Sequence, residues 1–244
     1  MITSEVIWLT GASTGIGRSL AIKLASCGNT VIASARNQQA LEQLAAEYNN
    51  IIPLAFDVTR QDSIELMQQQ LSNYSGHLDR VIVNAGTCEY LDIDTPDWDM
   101  MRRVMTVNYF GAINTVAAAI PLLEASPRPH MIAIVSLATL APFPRAEAYG
   151  SSKAAMQYFF DSLRIDLVSK NIDVTVINPG FVKTPLTDKN NFSMPFLMSS
   201  EQAAERMVKA IAARPRQFDF PRRLKWLLKV LGFIRALWNK IIAS

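Results

Sequence analysis

A tyrosine and a lysine lie four residues apart in the stretch AEAYGSSKAAM, residues 146–156. Four residues make about one helical turn, so a helix would place Tyr149 and Lys153 on the same face. A free tyrosine has a pKa of about 10, and a neighbouring cation favours the phenolate and lowers that value. The pair therefore predicts an acid/base tyrosine with a lowered pKa. Ordinary packing of a helix face rich in small residues is the alternative.

Short runs rich in Val, Ile and Ala alternate with longer helical patterns along the 244 residues. Six strands are predicted, in EVIWLT, TVIASA, IIPLAF, RVIVNAG, HMIAIVS and IDVTVINPG, and a long helix from Trp98 to about Leu123. Strands without polar alternation are typical of a parallel sheet that helices cover on both faces. We therefore predict one doubly wound, Rossmann-like α/β domain over residues 1–220, followed by a C-terminal helix over residues 221–244.

Ligands of such sheets bind at the carboxyl ends of the strands, and the first strand leads into the glycine-rich turn TGASTGIG. Glycine permits a tight turn and lets the backbone approach a phosphate closely at a helix N-terminus. The spacing GxxxGxG predicts a dinucleotide-binding turn, with a plain tight turn as the alternative. The residues predicted to contact the cofactor here are Gly11, Ser13, Thr14, Gly15, Ile16 and Gly17.

The residues after the second and third strands bear on which dinucleotide binds. NAD sites commonly place an acid after the second strand, but this chain has Arg36 there. A cation suits the 2′-phosphate of NADP, although a solvated surface arginine would look the same in the sequence. Asp57, followed by Val58, lies where a carboxylate can accept a hydrogen bond from the adenine amino group. Asp57 also suits the N-cap of the next helix.

The last three predicted strands are followed by NAG, VSLATL and NPGFVKT. Asn84 is expected to tie its loop to neighbouring loops, and the small residues after it leave room for a ribose. Ser136 ends the fifth strand, thirteen residues before Tyr149. Further cofactor contacts are predicted for Ala85, Gly86, Tyr149, Lys153, Pro179, Gly180, Val182 and Thr184.

Together these motifs resemble the short-chain dehydrogenase/reductase family, in its form of about 250 residues. TGxxxGIG, NAG, Asn108 in TVNYFG, Ser136, YxxxK and PGxVxT occur in family order over residues 6 to about 185. The resemblance implies a catalytic tetrad of Asn108, Ser136, Tyr149 and Lys153. In the family the tyrosine exchanges a proton with the substrate oxygen, the serine hydrogen-bonds that oxygen and the lysine holds the nicotinamide ribose. The backbone of the matching asparagine holds a relay water.

The resemblance implies an NAD(P)-dependent oxidoreductase, and Arg36 favours NADP(H) over NAD(H). Thr14 departs from the basic residue that many NADP-using members carry, so this preference depends mainly on Arg36, with Ser13 and Asn37 as helpers. An apolar, lipid-like ketone, aldehyde or alcohol is the expected substrate. It would lie under a lid of about residues 186–200 and contact Ser136, Leu137, Phe143, Tyr149 and Phe192. The alternatives are a catalytically silent dinucleotide-binding sensor or scaffold and non-redox chemistry on a nucleotide-sugar.

The end of the chain is basic, with six Lys and Arg and no acid from Pro221 onward. Because the whole chain carries +3, residues 1–220 carry −3 (3 minus 6). The tail pattern predicts an apolar face that docks on the body or a partner, or else lies on an anionic membrane. This predicted apolar face comprises Leu227, Val230, Leu231, Ile234, Leu237, Trp238 and Ile241, while Lys225, Lys229 and Lys240 share the other.

Other sequence features bear on partners and location. Two cysteines without CxxC spacing argue against a disulfide framework or a cysteine-based metal site, and no nucleic-acid partner is expected. The N-terminus lacks a signal-peptide pattern, and no apolar run is expected to match a membrane span of about 18 residues. We therefore expect a cytoplasmic protein, with the tail as its one peripheral contact with the inner face of a membrane. The family resemblance implies a homodimer or homotetramer.

Overall fold

The computed structural model describes residues 2–189 and 192–234, and its centre is a sheet of seven parallel strands. The strand order is β3-β2-β1-β4-β5-β6-β7, with the first and fourth strands side by side in the middle. The strands are β1 (Val6–Thr10), β2 (Thr30–Ala35), β3 (Ile51–Ala55), β4 (Arg80–Val83), β5 (His130–Ile134), β6 (Asp173–Pro179) and β7 (Gln217–Phe220).

Helices cover both faces of the sheet. In chain order they are α1 (Gly15–Ser26), α2 (Gln38–Glu47), α3 (Ile64–Tyr74), α4 (Asp99–Met105), α5 (Gly111–Glu124), α6 (Glu147–Asp166), α7 (Ser200–Ala213) and α8 (Arg222–Phe233). The side chains of β1 alternate between the two resulting cores. Leu9 packs with α1, α2 and α7, whereas Trp8 packs with α3, α5 and α6. The predicted doubly wound α/β domain is confirmed.

Two elements differ from the sequence prediction. The strand β7 was missed because its four residues, QFDF, include an acid and carry no long apolar run. It pairs in parallel with β6, which orients the start of α8. The predicted long helix is present but contains a π-helical turn, Thr106–Phe110, between α4 and α5.

The helical segment Asp99–Glu124 also corrects the expectation about membrane spans. By length and composition alone it could cross a membrane, so the expectation that no segment could do so is wrong. Its most apolar window is 56% buried inside the protein, since α5 packs against the sheet. The same features describe a core helix, and that is the position of this segment in the fold.

The tail helix α8 docks on the body, but with a different face from the predicted one. Leu224 and Leu228 are buried against Leu137 and Ala141. A Cβ on Gly232 would lie 2.6 Å from the Leu140 carbonyl oxygen, so the helix approaches this loop closely.

Of the four described members of the predicted apolar face, three point away from the body. Leu231 packs against the buried cluster, but Leu227, Val230 and Ile234 are exposed. The helical periodicity could not show which face of α8 packs against the body, because that depends on where β7 ends and on the direction in which α8 leaves it. Leu237, Trp238, Lys240 and Ile241 lie outside the described residues.

Candidate active site

A cleft of about 490 Å³ runs along the carboxyl ends of the strands. Every residue predicted to contact the cofactor lines it, although these residues are spread from position 11 to position 184. They are Gly11, Ser13, Thr14, Gly15, Ile16, Gly17, Arg36, Asp57, Val58, Asn84, Ala85, Gly86, Tyr149, Lys153, Pro179, Gly180, Val182 and Thr184.

The cleft has further walls that the sequence analysis did not assign to the cofactor. Their signal is position, because they adjoin predicted residues at strand ends, follow PGxVxT or, for Val107, precede Asn108 in the π-helical turn. They are Ser34, Ala35, Phe56, Thr59, Val107, Ile134, Val135, Ser136, Pro185, Leu186 and Thr187, and the predicted helper Asn37 lines the cleft as well.

The glycines after β1 allow a tight turn that residues with a side chain would not fit. Gly11 and Gly15 adopt φ of +70° and +54°, which L side chains rarely adopt. A Cβ on Gly17 would lie 2.0 Å from the Gly11 carbonyl oxygen, so α1 begins against the turn itself. Thr14, the N-cap of α1, makes no side-chain hydrogen bond to the helix. A phosphate-bearing group fits the resulting cradle.

Asn84 joins the loops after β1 and β4. Its Nδ2 donates hydrogen bonds to the carbonyl oxygens of Thr10 (3.0 Å) and Gly11 (3.2 Å). In return, the Thr10 hydroxyl accepts hydrogen bonds from the backbone N–H groups of Asn84 and Ala85. These hydrogen bonds hold the loops after the neighbouring strands β1 and β4 together at the base of the cleft.

Two charged residues line the cleft where the strands β2 and β3 end. Arg36 is exposed after β2, and its side chain has no ion pair with any other described residue. Asp57 follows β3, and its Oδ1 accepts hydrogen bonds from the N–H and hydroxyl of Thr59, at 2.9 and 2.8 Å. The alternative role of Asp57 as the N-cap of α3 is wrong, because a 3₁₀ turn capped by Arg60 precedes that helix.

The tyrosine and lysine of YxxxK lie on one face of α6, as their spacing predicts. The Lys153 side chain is buried and its Nζ lies 5.9 Å from the centroid of the Tyr149 ring. Lys153 Nζ donates a hydrogen bond of 3.0 Å to the Ile134 carbonyl at the end of β5. The lysine is therefore held beneath the tyrosine by the strand that leads to Ser136.

Asn108 lies behind the cleft instead of lining it. It is buried in the π-helical turn, and its Oδ1 accepts a hydrogen bond of 2.7 Å from the Thr87 N–H. Its Nδ2 donates to the Thr87 carbonyl at 2.9 Å and to the Ser152 hydroxyl at 2.8 Å. The side chain thus fastens the loop after NAG to α6, next to Lys153.

Loss of hydration shifts the pKa of both side chains of this pair, although only Lys153 is buried. This loss raises the pKa of Tyr149 to about 12, opposed by a hydrogen bond with Ser136 and reinforced by the Cys88 thiol. Burial also lowers the pKa of Lys153 to about 8, with the Cys88 thiol acting in the opposite direction. The predicted lowering of the tyrosine pKa is therefore wrong for the chain by itself, because desolvation outweighs the hydrogen bond with Ser136 that lowers it.

A second, apolar cavity of about 90 Å³ opens beside the first. All five residues predicted to contact the substrate line it, namely Ser136, Leu137, Phe143, Tyr149 and Phe192. The walls that the sequence analysis missed are Cys88, Tyr90, Ala138, Ala146, Gly180, Phe181, Leu186, Thr187, Leu224 and Leu228. No local motif marks Leu224 and Leu228, since α8 reaches the cavity only through the tertiary fold.

Aromatic rings close one side of this cavity. Phe192 contacts Tyr90 and Phe181 edge to face, with centroids 6.5 and 6.0 Å apart, and Phe143 contacts Phe181 at 6.1 Å. The lid that carries Phe192 leaves β6 and returns where Val182 pairs with Met198. The pairing of Val182 with Met198 therefore joins the two ends of the lid at its base.

Comparisons with known proteins agree with this architecture. The short chain dehydrogenase family model matches residues 5–195. An uncharacterized oxidoreductase of Myxococcus xanthus is 37% identical over 220 residues, covering 88% of this chain and 87% of that protein. A mouse dehydrogenase/reductase SDR family member 7B is 32% identical over 194 residues, covering 76% of this chain and 60% of that protein.

A solved structure shares the fold over almost the whole chain. It is a short chain dehydrogenase from Burkholderia cenocepacia in complex with NADP, with a TM-score of 0.84 at 22% identity. The match covers 99% of this chain and 98% of that one. The family model, the relatives and the fold lead to the same conclusion: this chain belongs to the short-chain dehydrogenase/reductase family of oxidoreductases.

Proposed function

We propose that this oxidoreductase transfers hydride between NADP(H) and the carbonyl or alcohol carbon of an apolar, lipid-like substrate. One observation carries the proposal: Ser136 and Tyr149 line both the long cleft and the apolar cavity. The two hydroxyls are therefore positioned where a cofactor in one space would meet a substrate in the other. This arrangement supports chemistry on an oxygen atom held between them.

The residues of the long cleft fit a nicotinamide dinucleotide. A Cβ on Gly11 or Gly17 would meet the backbone of Ala85 or Gly11, at 2.8 and 2.0 Å, so these glycines let the turn lie close against the start of α1, where a pyrophosphate would bind. Asp57 would accept a hydrogen bond from the adenine amino group, and Lys153 would hold the nicotinamide ribose. When bound, the nicotinamide supplies or accepts the hydride. The NADP complex of the Burkholderia cenocepacia structure supports the same class of cofactor.

The hydroxyls of Tyr149 and Ser136 would handle the proton and the developing charge. With a pKa of about 12, Tyr149 is a neutral phenol at neutral pH and can donate its proton to a carbonyl oxygen. Ser136 would hydrogen-bond the same oxygen and stabilise its negative charge. The Lys153 ammonium, which has a pKa of about 8, is the nearest reservoir from which the phenolate can be reprotonated.

The preference for NADP(H) depends on Arg36. Its side chain is exposed at the rim of the cleft and forms no ion pair within the described part of the chain. A free guanidinium can pair bidentately with the 2′-phosphate that distinguishes NADP from NAD. Asn37 contributes less, because its side chain already caps α2 by accepting a 3.0 Å hydrogen bond from the Ala40 N–H.

The apolar substrate is inferred from the walls of the second cavity. Leu137, Phe143, Phe181, Leu224 and Leu228 surround a space whose polar groups lie mostly near the Tyr149 hydroxyl. A carbonyl attached to an acyl or other apolar chain would bury that chain and keep its oxygen at the hydroxyls. A charged substrate would lose its hydration without finding a compensating partner among these walls.

The function is tested by NADPH oxidation with a panel of apolar ketones, aldehydes and 3-oxoacyl compounds. We expect turnover with the apolar members, and we expect Tyr149→Phe to lower kcat by at least about a hundredfold while leaving NADPH binding intact. Tyr158→Phe, an exposed tyrosine on the same helix, is the matched control.

Near-normal turnover by Tyr149→Phe would overturn the role of the hydroxyl. NADPH binding without turnover on any member of the panel would instead support the silent sensor.

A further inference from the structure

The outward side of α8 carries a continuous apolar stripe. Its members, called the outer stripe below, follow the helical periodicity and are Trp226, Leu227, Val230, Phe233 and Ile234. Phe233 is 92% exposed and Trp226 is 63% exposed, whereas the opposite side of the same helix is buried through Leu224 and Leu228. The helix therefore has two apolar faces, of which the body covers only one.

Cations flank the outer stripe, and α8 contains no acid. Arg222, Arg223 and Lys229 are exposed and have no ion pair with another described residue. Lys225 is different, since its Nζ pairs with buried Asp219 at 2.7 Å on the inner side. The Lys229 Nζ lies 5.7 Å from the centroid of the Trp226 ring, so a cation and an aromatic share the rim of the stripe.

We propose that the outer stripe docks on the surface of an anionic lipid bilayer. Such a surface offers phosphates for Arg222, Arg223 and Lys229, with acyl chains directly beneath for the stripe. A second copy of this chain would bring the same cations into contact with each other. It would also oppose a helix that has no acid to pair with them, so the charges favour lipid over self-association.

Docking would place the substrate cavity at the membrane, and this consequence rests on the proposed function. The inner face of α8 forms part of the cavity wall through Leu224 and Leu228. One helix would thus touch lipid on its outside and substrate on its inside. An apolar carbonyl compound dissolved in the bilayer would have a short path to Tyr149.

The test is co-sedimentation of the full chain with vesicles of phosphatidylcholine mixed with phosphatidylglycerol, and with vesicles of pure phosphatidylcholine. We expect binding to the mixed vesicles that weakens at high salt, and at least about tenfold weaker binding to the neutral ones. Trp226→Ser with Phe233→Ser should weaken binding at least about tenfold, and so should Arg222→Glu with Arg223→Glu.

Matched controls come from exposed residues elsewhere. Leu66→Ser with Tyr74→Ser removes two exposed hydrophobic side chains from α3, and Arg206→Glu with Lys209→Glu reverses two exposed charges on α7. These controls should bind as the parent chain does, and so should Tyr149→Phe, which separates docking from catalysis. Equal binding by the α8 variants and the parent would overturn the proposal. The proposal would also be overturned if the parent chain does not bind vesicles and instead self-associates through the outer stripe, so that the stripe variants lose this self-association.

Discussion

The charge on Lys153 is held inside the protein at a cost in stability. Its pKa of about 8 lies below the ordinary 10.5 because the buried ammonium has lost its hydration. The Ile134 carbonyl and the Met156 sulfur, at 3.0 and 3.5 Å, replace only part of that hydration. The difference in pKa corresponds to about 3 kcal/mol of unfolding free energy at neutral pH. A site that keeps this lysine is therefore built for chemistry at the expense of stability.

Lys153→Met should stabilise the protein while lowering its activity. The pKa of Lys153 is lower in the folded protein than in the unfolded chain. The charged lysine therefore lowers the unfolding free energy by its full amount below about pH 8, and this loss disappears as the pH rises toward 10.5. We expect a gain in unfolding free energy of about 2–3 kcal/mol at pH 7 that shrinks above pH 8. Urea denaturation at several pH values measures it, with exposed Lys209→Met as the control. A variant less stable than the parent at pH 7 would contradict this account.

The proposed ion pair between Arg36 and the 2′-phosphate of the cofactor is a second prediction at the scale of single residues. Arg36→Asp should lower kcat/KM for NADPH about tenfold to a hundredfold more than kcat/KM for NADH, because a carboxylate repels the 2′-phosphate. The measurement is the ratio of kcat/KM for the two cofactors. Arg206→Asp on α7 lies outside the cleft and should leave the ratio unchanged. An unchanged ratio in Arg36→Asp would remove this arginine from cofactor selection.

At the scale of elements, a polar chain links α8 to the loop of Ser136. Lys225 on α8 pairs with Asp219 on β7 at 2.7 Å. The Asp219 Oδ1 accepts a hydrogen bond of 2.9 Å from Asn178 Nδ2, and Asn178 Oδ1 accepts one of 3.2 Å from the Ser136 N–H. Asp219 is only 8% exposed, so its charge depends on these partners. The tail helix therefore helps to position the loop that carries Ser136.

Lys225→Met should weaken this link. Removing the cation leaves the Asp219 carboxylate buried, so we expect the unfolding free energy to fall by about 2 kcal/mol and kcat to fall with it. Adding Asp219→Asn should restore most of the stability, since no buried charge is left. Lys229→Met, one turn along α8 and exposed, is the control for losing a lysine. Denaturant unfolding measures the change in stability, and steady-state kinetics measure the change in kcat. A Lys225→Met variant with the stability and kcat of the parent would contradict the proposed link.

At the scale of the whole molecule, another apolar surface lies far along the chain from α8. Phe110, in the π-helical turn before α5, and Tyr158 and Ile165 on α6 are exposed, Tyr158 to 78%. Apolar side chains exposed together on neighbouring helices are typical of an interface between subunits. We therefore propose a homodimer formed through α4–α5 and α6, which can associate further into a tetramer.

Tyr158→Glu with Ile165→Glu should produce a monomer, because the charges would be buried and unpaired at the interface. Light scattering coupled to size-exclusion chromatography gives the mass directly. The control is Trp226→Glu with Val230→Glu, which also replaces two exposed apolar side chains by glutamate, but on α8. This variant should keep the mass of the parent. If the parent chain is itself a monomer at micromolar concentration, this interface does not exist.

Much of this molecule follows from local sequence. The apolar strands, the helical runs between them and the glycines at 11, 15 and 17 express short-range rules of periodicity and backbone freedom. They were sufficient to predict the parallel sheet and many of the residues that line the cleft. The spacing of Tyr149 and Lys153 likewise determined that they share one helix face, because the helical period is a local property.

Only the tertiary structure decided what depends on contacts between distant segments. The short strand β7 exists because β6 provides its hydrogen-bonding partner, and its direction decides that Leu224 and Leu228 face the cavity while Leu227 and Val230 face outward. The pKa of Tyr149 is raised instead of lowered because desolvation depends on everything packed around the hydroxyl, whereas spacing reveals only the neighbouring cation. The burial of a side chain depends on every segment packed around it, so it cannot be predicted from a local sequence pattern.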